Sequence, residues 1–347
     1  MTWSKLFRGP ARYWPIYLVS LGSVALGAIA LASVNVPLRP FMAALFNLFL
    51  FTGAWLPLTA ILVGWELVKA RPASPFAHLR ENYFTRAFWK RQLHFLPIVA
   101  CVALFMINFS AMKSAIPLFN PFSWDPAFIA WDRTLFFGTD PWRVIHPILG
   151  YPIVSAATAG IYHLWILLIY AGCIYMGAHQ PNDALRIRYF VSYFLCWSLI
   201  GVVLAITFSS VGPVFMEPLF GDPTFAPLMN YLESANEEYP VLVLAVQQQL
   251  LEWHATGQYG LGRGISAMPS MHVSLAVLFW LGMRQVSKGA GRFFGVFAIL
   301  IFIGSIHTGY HYAVDGIIAA IVTWAIWWLV GRVFPTSPVV PSARRAP

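Results

Sequence analysis

The sequence predicts an all-α fold: a polytopic membrane helix bundle of about eight spans. Three observations predict it. Of the 347 residues, 59% are hydrophobic and only 10% charged, where soluble domains carry about 25% charged residues. Mean hydropathy is +0.67. The apolar residues also come in runs of about 20, the length at which a helix crosses the roughly 30 Å hydrocarbon core of a bilayer. A net charge of +9 and a pI near 9.6 would suggest nucleic acid in a soluble chain. Here the basic residues fall in short connections between apolar runs, so the charge reads as a topology signal and no nucleic-acid partner is expected. Cys101, Cys173 and Cys196 lie inside apolar runs with neither paired nor zinc-like spacing, and bound nothing about redox compartment.

The first span is expected at 14–36, too long for a signal-peptide core of about 7 to 15 residues and with no small-residue cleavage site after it. A second at 41–64 leads into a basic connection, and a third follows at 93–112. The long connection 113–150 contains "FNPFSWDPAFIAWDRTLFFGTDPW". Its Pro, Gly and aromatic content predicts a structured cap on the outer membrane surface, with Asp132 and Arg133 pairing locally. Spans at 152–177 and 189–210 come next. His163 sits within the first of them, in "GIYHLWILLIY", either facing a substrate cavity or bonding a neighbouring helix. A second cap is expected over 211–268, with a short interfacial helix in "PVLVLAVQQQLLEWHATG". The last spans are 269–285, 292–308 and 311–333, the first two the shortest, and 334–347 is a disordered tail.

Charge orients these spans. With the N-terminus cytoplasmic, 17 of the 22 Lys and Arg residues fall in cytoplasmic connections and ten of the 13 acidic residues fall outside, as the positive-inside tendency requires. Both termini are therefore expected in the cytoplasm. The style of the chain favours a bacterial inner membrane.

Two polar clusters then share the outer face. In "MPSMH", Pro269 suits a first helical turn, and the amides of Ser270, Met271 and His272 form a donor-rich helix start that attracts anions; Ser266 is the alternative cap. In "SIHTGYHYAVDG", His311 and Asp315 are four apart and share a helix face. A carboxylate there fixes the imidazole tautomer and leaves the other nitrogen as nucleophile or base, and an ionisable pair in a membrane segment is a functional-site hypothesis by default. His307 continues the spacing of four, so with His272, His311 and Asp315 it offers a zinc ligand set as the competing reading. Gly309, where the chain should turn, argues against one continuous ligand face. His307 otherwise reads as a substrate-binding residue.

"PSMH", with His311 of a Ser305, His311, Asp315 arrangement 39 residues after its histidine, resembles the second and third signature motifs of the type 2 phosphatidic acid phosphatase superfamily. "SAMPSMHVSLAV", "TGYHYAVDGIIA", "SSVGPV" and "WDPAFIAWDRTLFFG" are similar to the branch containing inositol phosphorylceramide synthases. The resemblance implies a phosphohistidine on His311, oriented by Asp315, with His272 protonating the leaving oxygen and no cofactor or metal. It also implies a six-helix catalytic core, here 93–333, with 1–92 as a two-span addition carrying a basic cytoplasmic loop. The superfamily's first motif, a lysine followed after six residues by Arg-Pro, is absent, and Ile306 stands where the third motif has arginine. Arg263, nine residues before His272, is then the best-placed guanidinium for the substrate phosphate. The expected partners are the bilayer, a phospholipid or lipid-phosphate substrate and a lipid hydroxyl acceptor. Head-group transfer is favoured over hydrolysis, and a non-catalytic lipid-binding or translocating protein remains the third reading.

Overall fold

The computed structural model describes residues 11–37, 40–258 and 262–336. Most of the predicted tail lies outside the described residues. The chain divides into two compact units, one drawn from Met1–Pro121, Ile166–Pro181 and Gln248–Ile265, the other from Phe122–Trp165, Asn182–Gln247 and Ser266–Pro347.

In the first unit, α1 (Trp14–Ser33) and α2 (Pro40–Ala70) both pack on α4 (Arg86–Phe119), and α3 (Pro75–Asn82) lies in the connection. Gly27 permits the close approach of α1 to α4, since a Cβ there would fall 2.1 Å from Asn108 Oδ1. The Asn108 amide in turn donates to the Val24 carbonyl at 3.3 Å. On α2, the Trp55 indole donates to Gln92 Oε1 at 3.0 Å. The third span is longer than the apolar run at 93–112 because Thr85 caps it, accepting from the Phe88 amide at 3.2 Å. A satisfied first turn lets the helix start among charged residues.

The second unit holds α5 (Asp125–Leu135) and α6 (Pro141–Leu149), the first turns of α7 (Pro152–His179), and α8 (Asp183–Thr207). It continues through α9 (Met216–Phe220) and α10 (Ala226–Glu238). It also holds the start of α11 (Val243–Ala255), then α12 (Met271–Met283), α13 (Lys288–His307) and α14 (Ala313–Val333). α12 packs on α13, α14 and α8; Ser274 Oγ meets Thr323 Oγ1 at 2.7 Å where α12 and α14 face each other. The connections 113–150 and 211–268 contain helices, including one at the predicted position in "PVLVLAVQQQLLEWHATG".

Seven helices among the described residues are long and apolar enough to cross a membrane. The sixth expected span, 269–285, is the exception. Ser270 caps it and Arg284 closes it, leaving the 13 residues of α12, about 20 Å of helix. Nine of those residues are buried, and a helix apolar all round belongs inside a bundle.

Candidate active site

The loop 209–215, "SSVGPVF", ties the two predicted motif segments together. The Ser209 carbonyl accepts from the amides of Ser123 and Trp124, the Ser210 carbonyl from Ala267, and Gly309 from Val214, all within 3.2 Å. Ser210 Oγ accepts from the Met268 amide at 3.1 Å. Gly212 has φ +91, and a Cβ on it would sit 2.7 Å from the Tyr310 carbonyl oxygen. No other residue fits both conditions.

Two carboxylates of α5, seven residues apart and so on one helix face, hold this assembly. Asp125 accepts from the amides of Val211 at 3.0 Å and Gly212 at 2.9 Å, and from the Tyr312 hydroxyl at 2.9 Å. Asp132 accepts from the amides of Ala313 and Val314, each at 2.8 Å, so it closes the N-terminus of α14, where a negative charge is favoured. Burial is the main effect raising both carboxyl pKa values, to about 7 for Asp132, with the amide hydrogen bonds opposing it. The expected local Asp132–Arg133 pair does not form. Asp132 points to α14, while Arg133 Nε donates to Asp140 at 2.7 Å.

His311 stands in the turn between α13 and α14, its amide donating to the Ser305 carbonyl at 3.2 Å. Its Nδ1 lies 3.3 Å from Asp315 Oδ2, which also accepts from the Tyr312 amide at 3.1 Å. Asp315 is fully buried, His311 is 5% exposed, and Asp315 Oδ1 has no hydrogen-bond partner among the described residues. With a proton on Nδ1 donated to Asp315, the Nε2 lone pair is the one left for chemistry. His272, in the first turn of α12, has its ring centroid 5.7 Å from that of His311. It is held by Tyr162, stacked at 4.3 Å, and Trp165 at 4.1 Å. A bond from the Ser270 amide to the Asp315 carbonyl, 3.3 Å, joins the starts of α12 and α14. Beside His311 is a cavity of about 10 Å³ lined by Asp132, Trp142, Leu228, Ile306 and Tyr312.

The other predicted residues have partners of their own in the protein. Ser270 is the N-cap of α12, its hydroxyl accepting from the Val273 amide at 3.3 Å. His163 Nδ1 bonds the Ala159 carbonyl of its own helix at 2.9 Å, not a neighbouring helix. His307 is fully buried, with Nε2 2.8 Å from Ser155 Oγ, which lies 2.8 Å from the Tyr231 hydroxyl. Gly309, with φ +72, turns the chain after it. Among the described residues no three His, Cys, Asp or Glu side chains converge as a metal-ligand set. Arg263 belongs to the first unit, its guanidinium 5.0 Å from the Trp253 ring.

Sequence reasoning missed Tyr162 and Trp165, because aromatic residues in an apolar helix read as interface anchors. Their spacing of three, flanking the singled-out His163, was the available signal.

A family model described as the PAP2 superfamily matches residues 126–329. No curated protein and no solved structure matches the chain.

Proposed function

We propose, from the premise that the chain belongs to the PAP2 superfamily and is thereby a membrane phosphatase or phosphotransferase, that it transfers a phosphorylated head group between lipids through a phosphohistidine. The observation that carries the reading is the buried His311–Asp315 couple with the His272 ring 5.7 Å away. In the first step His311 Nε2 attacks phosphorus. The bond from phosphorus to the leaving lipid oxygen breaks, and that oxygen takes a proton from His272. In the second step an acceptor hydroxyl gives its proton back to His272 as its oxygen attacks phosphorus, and the N–P bond breaks. Asp315 balances the imidazolium charge that develops on His311.

The acceptor decides between transfer and hydrolysis. A lipid hydroxyl, the chemistry of inositol phosphorylceramide synthases, is our reading, because "SSVGPV" and "WDPAFIAWDRTLFFG" resemble that branch and lie in the segments that organise the motifs. Arg263, nine residues before His272 in sequence, is the guanidinium we assign to the phosphate, with Ser270, His307 and His163 as further substrate contacts. We assign residues 93–333 as the catalytic core and 1–92 as an addition to it. The reaction takes place at the non-cytoplasmic face.

The test is product analysis by mass spectrometry. Wild type and His311→Ala are incubated with mixed phospholipids, ceramide and diacylglycerol, with and without EDTA. Head-group-exchanged lipid made by wild type alone and undiminished by EDTA is the expected result. Free phosphate alone would make the acceptor water. Loss of product with EDTA would move the mechanism to a metal, and equal turnover by a folded His311→Ala protein would remove His311 from the reaction.

A further inference from the structure

The end of α12 remote from His272 carries a feature that the reaction does not use. Between the last turn of α12 and the first turns of α13 is a groove of about 570 Å³ lined by Trp280, Arg284, Lys288, Arg292, Gly295 and Ile299, among others. It is open along one side, so that an occupant would lie against the helices and not be enclosed by them. Gly295 makes the room: a Cβ there would sit 3.3 Å from the Trp280 ring, so a larger side chain would fill the groove. The Arg284 guanidinium lies over that indole at 5.2 Å, which holds one cation at the rim. No carboxylate lies within ion-pair distance of Arg284, Lys288 or Arg292 among the described residues. The start of α13 adds the positive end of a helix dipole.

The walls change character along α13. Lys288 and Arg292 stand at its first turns, and Val296 and Ile299, both more than half exposed, continue the groove into the apolar part of the helix. A cationic mouth that runs into an apolar channel complements a molecule with an anionic head and a hydrocarbon tail. We infer that this groove binds one anionic phospholipid, its phosphate between Arg284, Lys288 and Arg292 and an acyl chain against Gly295, Val296 and Ile299. The site lies at the end of α13 remote from the turn that carries His311, since the 20 residues from Lys288 to His307 span about 30 Å, the thickness of the membrane core.

Basic residues at span ends also serve topology alone, so the test separates a shaped site from diffuse charge. Native mass spectrometry of the purified full-length protein would be run with phosphatidylglycerol and phosphatidylcholine at equal concentration. Wild type is expected to retain one phosphatidylglycerol at least tenfold over phosphatidylcholine. Arg284→Gln/Lys288→Gln/Arg292→Gln and, separately, Gly295→Leu, which leaves every charge in place, should each lose that preference. Arg71→Gln/Arg80→Gln, outside the groove, should keep it. Unchanged retention by a folded Gly295→Leu protein, or equal loss in the Arg71/Arg80 control, would overturn the site.

Discussion

At the scale of single residues, the proposed chemistry depends on two imidazoles held by different means. His311 is held by a hydrogen bond, through Asp315. His272 is packed by ring contacts, against Tyr162 and Trp165. Asp315→Asn is therefore expected to lower kcat by about 10³-fold or more with KM little changed, because the amide no longer fixes the tautomer or balances the imidazolium. Steady-state kinetics on the folded variant check this. For His272 the prediction is a contrast. Tyr162→Phe should keep wild-type kcat, since the Tyr162 hydroxyl has no hydrogen-bond partner among the described residues and the ring stacks on His272; Tyr162→Ala and Trp165→Ala should each lose about tenfold in kcat as the imidazole is released from its orientation. Equal activity in all three would show that the stacking does not matter. His272, His311 and Asp315 were legible in sequence because polar residues in apolar runs are costly and therefore conspicuous. The aromatic walls were not, because Trp and Tyr are ordinary constituents of a membrane protein.

Helix starts are where the second level of control lies. α12 begins at Ser270, and Ser270→Ala is expected to cost about 1 kcal/mol of stability. Its assignment as a substrate contact adds a raised KM to the expected outcome; an unchanged KM in steady-state kinetics would leave the hydroxyl as a helix cap alone. α14 begins under Asp132, whose two bonds to the Ala313 and Val314 amides set the position of the turn carrying His311. Burial raises the Asp132 carboxyl to about 7 in the folded protein, against an ordinary value near 3.9 in an unfolded chain. Between those two values the folded state keeps a proton that the unfolded state has released, so this group's contribution to stability is present at low pH and is lost as pH rises to about 7. Asp140 and Asp315, which push the pKa the same way, reinforce the effect. Thermal unfolding in detergent should show wild type losing stability from pH 5 to pH 8 by more than Asp132→Asn does; identical pH slopes would exclude the linkage. Element boundaries were legible to within a turn or so where the run ended at a capping residue. They were missed at α4 and α8, where Thr85 and Asn182 start helices in charged sequence that a hydropathy window discards. The clamp by Asp125 and Asp132 was illegible because both carboxylates act on backbone groups far along the chain, and sequence spacing carries no trace of such bonds.

For the whole molecule, the short α12 decides the topology. By length alone, 13 residues fall below the usual span, and without it seven crossings would put the chain ends on opposite sides. The hairpin argues otherwise. α12 ends at Met283 and α13 starts at Lys288, so those two ends share one level; His272 and His311 have adjacent rings, so the start of α12 and the chain beyond the end of α13 share another. α13 is 20 residues long and apolar enough to span, and we propose that α12 crosses beside it, the residues flanking its 13-residue helix completing the path. Eight crossings, which we propose, would return the chain to the side on which it began. The charge distribution in the connections points the same way, with 17 of 22 basic residues on one side under that count. Green fluorescent protein fused separately before Met1 and after Pro347 should be fluorescent in both fusions, as expected of cytoplasmic ends, and alkaline phosphatase at the same positions should be inactive. A fluorescent N-terminal fusion paired with an active C-terminal phosphatase would mean that α12 does not cross, and would place the loop before His272 and the turn before His311 on opposite faces, where one phosphate cannot reach both.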